Sequence, residues 1–231
     1  MQIIQTTLAN CAGSRDAVVV IDVLRSFTTA AYAFAAGARR IHPVASPEAA
    51  LLLRAQLPGA LTMGALGGGW PIPGFDLDNA PSRVAGHDLR DKTLIQCTAA
   101  GVSGLLRCPE ASPLLAGSLV CARATARYLL RRQPARVALV VTGDWSDRDG
   151  DEDRACADYL AALLRGQTPD PAHVAARVVA SDFGRRFIEP DHPALPAADL
   201  SYAIAIDRFA FAMPVRRSAD LLVIEPADPD R

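Results

Sequence analysis

Lysine is nearly absent from this chain: Lys92 stands alone, and arginine supplies every other basic side chain. With the abundance of alanine, this reads as a coding bias without functional meaning. An excess of one charge is also missing. Lys+Arg total 24 against 25 Asp+Glu, a formal net charge of −1. No basic stripe or aromatic-interleaved patch occurs, which excludes a protein built around a nucleic-acid field. The five cysteines, Cys11, Cys97, Cys108, Cys121 and Cys156, form an odd set with no C-x-x-C spacing. That argues against a disulfide framework or a structural zinc site, and for reduced thiols in a cytoplasmic protein. No run reaches the roughly 18 consecutive apolar residues of a membrane span. The best stretch, 28–38, is mostly alanine, and Met1–Gln5 lacks the zones of a signal peptide.

What is present is a core. Half of the 231 residues are hydrophobic, and a chain of this length buries roughly 70% of its unfolded surface, so disorder is not expected. Short β-branched runs alternate with helical patterns. Ala17–Ile21 is a continuous apolar run, the mark of a strand buried on both faces, and Arg25 to Ala38 reads as a helix packed on a sheet. Ser46-Pro47-Glu48 opens a second helix with an N-cap and a proline at its first position. Strands are predicted at 41–44, 61–63, 93–96, 114–116 and 136–141, and helices at 99–106, 119–132 and 151–164. Beyond these, 202–206 and 221–224 look extended. The alternation predicts one α/β domain over residues 1–231, a three-layer α/β/α arrangement with a largely parallel or mixed sheet. The part after about 166 is the least regular. Ligands in such sheets sit where strands end and helices begin.

Three segments occupy such places. Asp22-Val23-Leu24-Arg25-Ser26 follows the most hydrophobic strand. Asp22 is suited to a hard metal ion, and Arg25 with the helix N-terminus to a phosphate. The alternative is equally weighted: Asp22 caps the helix and Arg25 pairs with it. A phosphoaspartate mechanism of the haloacid-dehalogenase kind is disfavoured, because Leu24 stands where its second acid belongs. The second segment, 64–81, is long and glycine-rich. It matches neither the phosphate loop nor the dinucleotide pattern, and its length argues for function against a surface loop that tucks Phe75 into the core. The third, 142–153, holds six acids in ten residues balanced by Arg148. A calcium loop fails, since Glu152 stands where a glycine is required when counting from Asp147. Asp149 and Glu152 have the spacing of a capping box, yet Glu152 and Asp153 also lie where a sheet-edge metal site would recruit ligands. Thr98, at another strand-to-helix junction, is placed to contact an oxyanion. Its neighbour Cys97 reads as a buried small hydrophobe, and the four histidines carry no assigned role.

In this order, VVVIDVLRSFTTAAYAFAAGA at 18–38, PIPGFDLDNAPS at 71–82, IQCTAAGVSGL at 95–105, GSLVCARATARYL at 117–129 and GDEDRACADYLAALL at 150–164 resemble the 2-phosphosulfolactate phosphatase family. The likeness spans most of the chain up to about 165. It implies a magnesium-dependent hydrolase of three-layer α/β/α fold that removes phosphate from 2-phospho-3-sulfolactate, a step towards coenzyme M. Asp22 and Arg25 match the family's D-V-L-R motif, Asp76 and Asn79 its G-F-D-x-x-N motif, and Glu152 and Asp153 its E-D pair. Two positions depart from the pattern: Ala65 replaces a glutamate, removing a carboxylate, and Val102 replaces a threonine.

The expectation is therefore a phosphatase acting on a small acidic phosphomonoester. Asp22, Glu152 and Asp153 would hold Mg2+, Arg25 and Ser26 would grip the phosphoryl group, and Asp76 would orient the attacking water. Asn79 and Thr98 would complete the substrate contacts. A homodimer is compatible with the sequence but marked by no motif. The alternative, prompted by Ala65 and Val102, is a family member with a drifted substrate or one that binds an anionic phosphorylated metabolite without hydrolysing it.

Overall fold

The computed structural model describes every residue except Ser14, Ser146, Asp147, Pro190, Asp191, Asp220 and Arg231. Asp147, the residue from which a calcium loop was counted, thus lies outside the described residues. The strands are β1 Gln2–Thr7, β2 Ala17–Ile21, β3 Arg40–Pro43, β4 Leu61–Ala65, β5 Leu77–Asp78, β6 Thr93–Thr98, β7 Leu114–Gly117, β8 Arg136–Val141, β9 Asp144–Trp145, β10 Arg148–Asp149, β11 Met213–Ser218 and β12 Leu221–Ile224. The helices are α1 Ser26–Ala35, α2 Pro47–Gln56, α3 Pro81–Val84, α4 Gly101–Arg107, α5 Ala122–Arg132, α6 Asp151–Leu164, α7 Pro171–Ala180, α8 Asp182–Arg186 and α9 Ala197–Ala203.

Ten strands form one mixed sheet in the order β1-β8-β2-β7-β11-β12-β3-β6-β4-β5. It consists of two parallel halves joined through an antiparallel hairpin, β11–β12. Three antiparallel steps reverse the sense of one half relative to the other, and the joint narrows to a single pair, Ile224 with Ile41. Twist of roughly 20–25° per strand accumulates across such a sheet. The residues that follow β2 nevertheless meet the C-terminal end of β6 and the start of α4: the Ser26 and Thr98 hydroxyls lie 2.9 Å apart, and the Gly101 N–H donates to Asp22 at 2.8 Å. That meeting creates the site.

The apolar run of β2 serves two cores. Ala17, Val19 and Ile21 pack with α5, α6 and the C-terminal helices on one face, while Val18 and Val20 pack with α1 and the inner residues of β3, β6 and β7 on the other. Alternation with period two divides them, and burying each such side chain contributes about 1.5–3 kcal/mol. The three-layer expectation therefore holds. Ser46 caps α2 as its sequence implied, accepting from the Ala49 N–H at 3.2 Å, with Pro47 in the first turn.

Other expectations are corrected. Residues 202–206, read as extended, end α9 and turn away; apolar character without clear alternation does not separate a strand from a short helix. Asp149 and Glu152 do not form a capping box. Gly150, at φ 65°, occupies the N-cap of α6 without a side-chain cap, and the Asp149 N–H is taken by Asp182 at 3.2 Å. The left-handed turn at Gly150 leaves Glu152 buried. Among the described residues, no helix is long and apolar enough to cross a membrane.

Candidate active site

A cavity of about 190 Å³ opens where β2, β4 and β6 end. Asp22, Arg25, Asn79 and Thr98 line it, with the 65–69 turn on one side and Trp145, Arg148, Phe183 and Arg186 on another. Its size suits a small organic phosphate, since drug-sized ligands take about 300–1,000 Å³.

Asp22 is fixed by both oxygens. Oδ1 accepts from the Ser26 N–H at 2.9 Å and Oδ2 from the Gly101 N–H at 2.8 Å, so one carboxylate ties the first turns of α1 and α4 together. The capping alternative is thus correct for Asp22, but the pairing alternative is not. Arg25 turns instead to Asp199, its Nη1 donating to Oδ2 at 2.6 Å with both side chains buried. The Ser82 N–H and hydroxyl donate to the other Asp199 oxygen, and Arg25 Nη2 reaches the Gly69 carbonyl at 3.3 Å. Gly69, at φ 87°, admits this approach; a Cβ there would stand 2.7 Å from Nη2. Burial lowers the Arg25 pKa, and the Asp199 charge opposes that shift.

Glu152 and Asp153, adjacent in sequence and both buried, differ in their bonding. Asp153 is saturated. Oδ1 accepts from the Val23 N–H at 2.8 Å, and Oδ2 from the Gly143 N–H at 2.8 Å, the Thr142 N–H at 3.1 Å and the Thr142 hydroxyl at 3.3 Å. It pins the end of β2 to the end of β8. Glu152 Oε2 is buried with no hydrogen-bond partner, and its other oxygen packs on Gly143, where a Cβ would stand 2.5 Å away. Burial pushes the Glu152 carboxyl up to about 7; Arg148 opposes the shift and Asp22 and Asp149 add to it. Burial, then the charges of Glu152 and Asp22, raise Asp153, and burial raises Asp22 against its backbone donors.

Among the described residues, no group of three or more His, Cys, Asp or Glu side chains is arranged to hold a metal ion together. The donor chemistry suits a hard cation through two carboxylates: Glu152 has an orphaned oxygen, and each Asp22 oxygen accepts a single N–H. Magnesium is commonly held that way, by one or two carboxylates with water and substrate oxygens completing the shell. Asp153, expected as a third ligand, is occupied by the backbone.

Asp76, expected to orient water, sits elsewhere. Its carboxylate accepts from the Thr62 N–H and hydroxyl at 2.8 and 2.9 Å and from Arg54 at 2.9 Å. The motif that carries it fastens the loop to β4; Asn79, three residues on, is the member that reaches the cavity. Asn79 Oδ1 is buried without a partner. Ser26 is buried, its hydroxyl shared with Thr98, so Thr98 is the hydroxyl facing the cavity. Ala65 stands in the wall, paired with Thr98 across β4 and β6, whereas Val102 is buried in α4. Phe75 is partly buried against a small core, as its structural reading anticipated. Burial pushes the Cys97 thiol up to about 11, consistent with an inert residue.

Sequence reasoning missed Arg148, Phe183, Arg186 and Asp199. Arg148 was visible as the lone base in an acidic run, but the others lie in the irregular segment after 166, where no periodic pattern ties them to a strand end.

The family profile described as 2-phosphosulpholactate phosphatase matches residues 4–192. A probable 2-phosphosulfolactate phosphatase of Bacillus subtilis is 32% identical over 208 residues, 90% of each chain. One from Carboxydothermus hydrogenoformans is 44% identical over 151 residues, 65% of this chain and 61% of that protein. One from Deinococcus radiodurans is 35% identical over 165 residues, 69% of this chain and 68% of its own. Together with the sheet-end acids and the arginine-lined cavity, these matches show that the chain belongs to the 2-phosphosulfolactate phosphatase family, a family of phosphomonoester hydrolases.

Proposed function

We propose that the protein hydrolyses a small, multiply charged phosphomonoester, of which 2-phospho-3-sulfolactate, giving 3-sulfolactate and phosphate, is the leading candidate. The observation that carries this reading is a cavity lined by Asp22 and three guanidinium groups, Arg25, Arg148 and Arg186, with the orphaned, buried carboxylate of Glu152 near enough to Asp22 for the two charges to act on each other. A phosphate, a carboxylate and a sulfonate on one three-carbon skeleton is a ligand of matching charge.

Asp22 and Glu152 are the residues that would hold Mg2+, which when bound supplies charge neutralisation at the phosphoryl oxygens. Arg25 keeps a fixed position through Asp199 and presents its remaining donors to the phosphoryl group. The Asn79 side-chain amide N–H and the Thr98 hydroxyl donate to the ester oxygens. Asp22, facing the cavity, accepts a proton from the attacking water, whose oxygen bonds to phosphorus as the bond from phosphorus to the substrate's alkoxide breaks in line; that proton then passes to the departing alkoxide. Trp145 and Phe183 shield the site from bulk water. Asp153 acts at one remove, by holding the strand ends in register.

Phosphate release from 2-phospholactate with and without magnesium, compared among wild type, Asp22→Asn and Glu152→Gln, tests the reading. Losses of about 10²–10³-fold are expected for each variant, the scale seen when one charge-stabilising group is removed. Equal turnover by all three proteins would remove both acids from the reaction. A second reading has one specific support: Ala65 puts a methyl group in the cavity wall where the resemblance calls for a carboxylate. Thermal stabilisation by the ester with no product formed would favour a binding protein on the same scaffold.

A further inference from the structure

The three guanidinium groups of the cavity are not equivalent. Arg25 is matched by a buried carboxylate 2.6 Å away. Arg148 has no such match among the described residues. Its Nε is buried without a hydrogen-bond partner, and its guanidinium is flanked by rings, 4.5 Å from the centroid of Phe183 and 5.5 Å from that of Trp145. Arg186 also approaches Phe183, at 5.6 Å. Aromatic faces hold a guanidinium in place and tolerate its charge, but they do not satisfy its N–H groups. A planar donor fork, immobilised by stacking and open towards a cavity, is a receptor for a carboxylate or sulfonate. The place is also fixed by the backbone, since Arg148 pairs in register with Trp145 across β9 and β10.

We infer that Arg148 binds a second anionic group of the substrate, separate from the phosphoryl group, and so sets the selectivity of the site. The inference rests on the phosphatase reading and deepens it, by assigning one half of the cavity to the ester and the other to a carboxylate or sulfonate. A phosphomonoester without that group leaves the Arg148 fork unpaired in a partly dry site, and such a site discriminates against the lesser ligand.

The test compares 2-phospholactate with isopropyl phosphate, which has the same carbon skeleton and no carboxylate. For the wild type, kcat/KM is expected to favour 2-phospholactate by about tenfold to a hundredfold, the range for a lost hydrogen bond to a charged group. In Arg148→Gln that ratio falls to within a few-fold, mainly through KM for 2-phospholactate. Arg148→Lys, which keeps the charge, recovers part of it and separates loss of charge from loss of packing. Calorimetric binding of the same two esters gives a readout independent of turnover. If neither ester is hydrolysed but the binding preference exists and collapses in Arg148→Gln, the phosphatase reading fails and the subsite stands. Equal handling of the two esters by wild type, an unchanged ratio in folded Arg148→Gln, or no binding of either ester overturns the inference.

Discussion

The two walls of the cavity are built differently. One wall is made of strand ends: Asp22, Thr98 and, behind them, Asp153, whose carboxylates and hydroxyl accept from backbone N–H groups just beyond β2 and β8 and in the first turns of α1 and α4, while Glu152 keeps an unpartnered oxygen. The other consists of Trp145, Arg148, Phe183 and Arg186 on short elements, held by rings stacked on cations. The first wall has the rigidity that charge stabilisation demands, because its groups cannot reorganise without breaking the sheet. The second presents its donors on side chains held by ring contacts rather than by strand backbone. On the proposed reading, chemistry falls to the strand ends and discrimination to the appended wall.

Arg25 and Asp199 join the two regions, and breaking that pair gives the largest effect expected. Asp199→Asn keeps the Ser82 contacts but leaves a buried guanidinium without its counter-charge, a change that costs about 3–5 kcal/mol. The urea midpoint should fall with an unchanged slope; a midpoint within error of wild type would mean that Arg25 is held by something else.

The next effect sharpens the contrast within the first wall. Glu152 titrates at about 7 in the folded chain, against an ordinary carboxyl near 4.3 in the unfolded one. The folded state therefore binds more protons between those values, and its stability falls as pH rises through that window. In the presence of a chelator, wild type should lose on the order of 3 kcal/mol between pH 4 and pH 8 from this group. Glu152→Gln should remove most of that slope. A slope retained in full would assign it to Asp22 and Asp153.

The smallest effect concerns a residue outside both walls. Asp76→Asn weakens the bonds to Thr62 and Arg54, costing about 1–2 kcal/mol of stability, while phosphate release stays within about twofold of wild type, as for a site distant from the chemistry. A loss of turnover comparable to that of Asp22→Asn would return Asp76 to the reaction.

How far the sequence reached follows the same division. Asp22 was legible because it directly follows the continuous apolar strand β2, and Thr98 because it stands at a strand-to-helix junction; in an α/β sheet such a strand end lies near the ligand. Glu152 and Asp153 were legible as a pair, but nothing in two adjacent acids tells which is saturated by backbone donors and which is left open; the left-handed turn at Gly150 decides that. Asp76 misled because its motif is continuous in sequence while its side chains diverge in space, Asp76 towards Thr62 and Asn79 towards the cavity. Asp199, α8 and β11 were invisible for a plainer reason: short elements with mixed polarity lack the periodicity that marks long ones; α7, by contrast, carries a legible start in its Asp170 cap and Pro171.

By itself, the sequence determined the α/β alternation, the buried strands and the acids at their ends, because hydrophobic period and strand-to-helix junctions are local properties of the chain. Only the tertiary structure decided which acid keeps a free oxygen, that Arg25 answers to Asp199 and that Arg148 faces the cavity. Those outcomes depend on which segments far apart in sequence the fold brings together, as with Arg25 and Asp199 or Asp153 and Val23, and that is not written in any single stretch of residues.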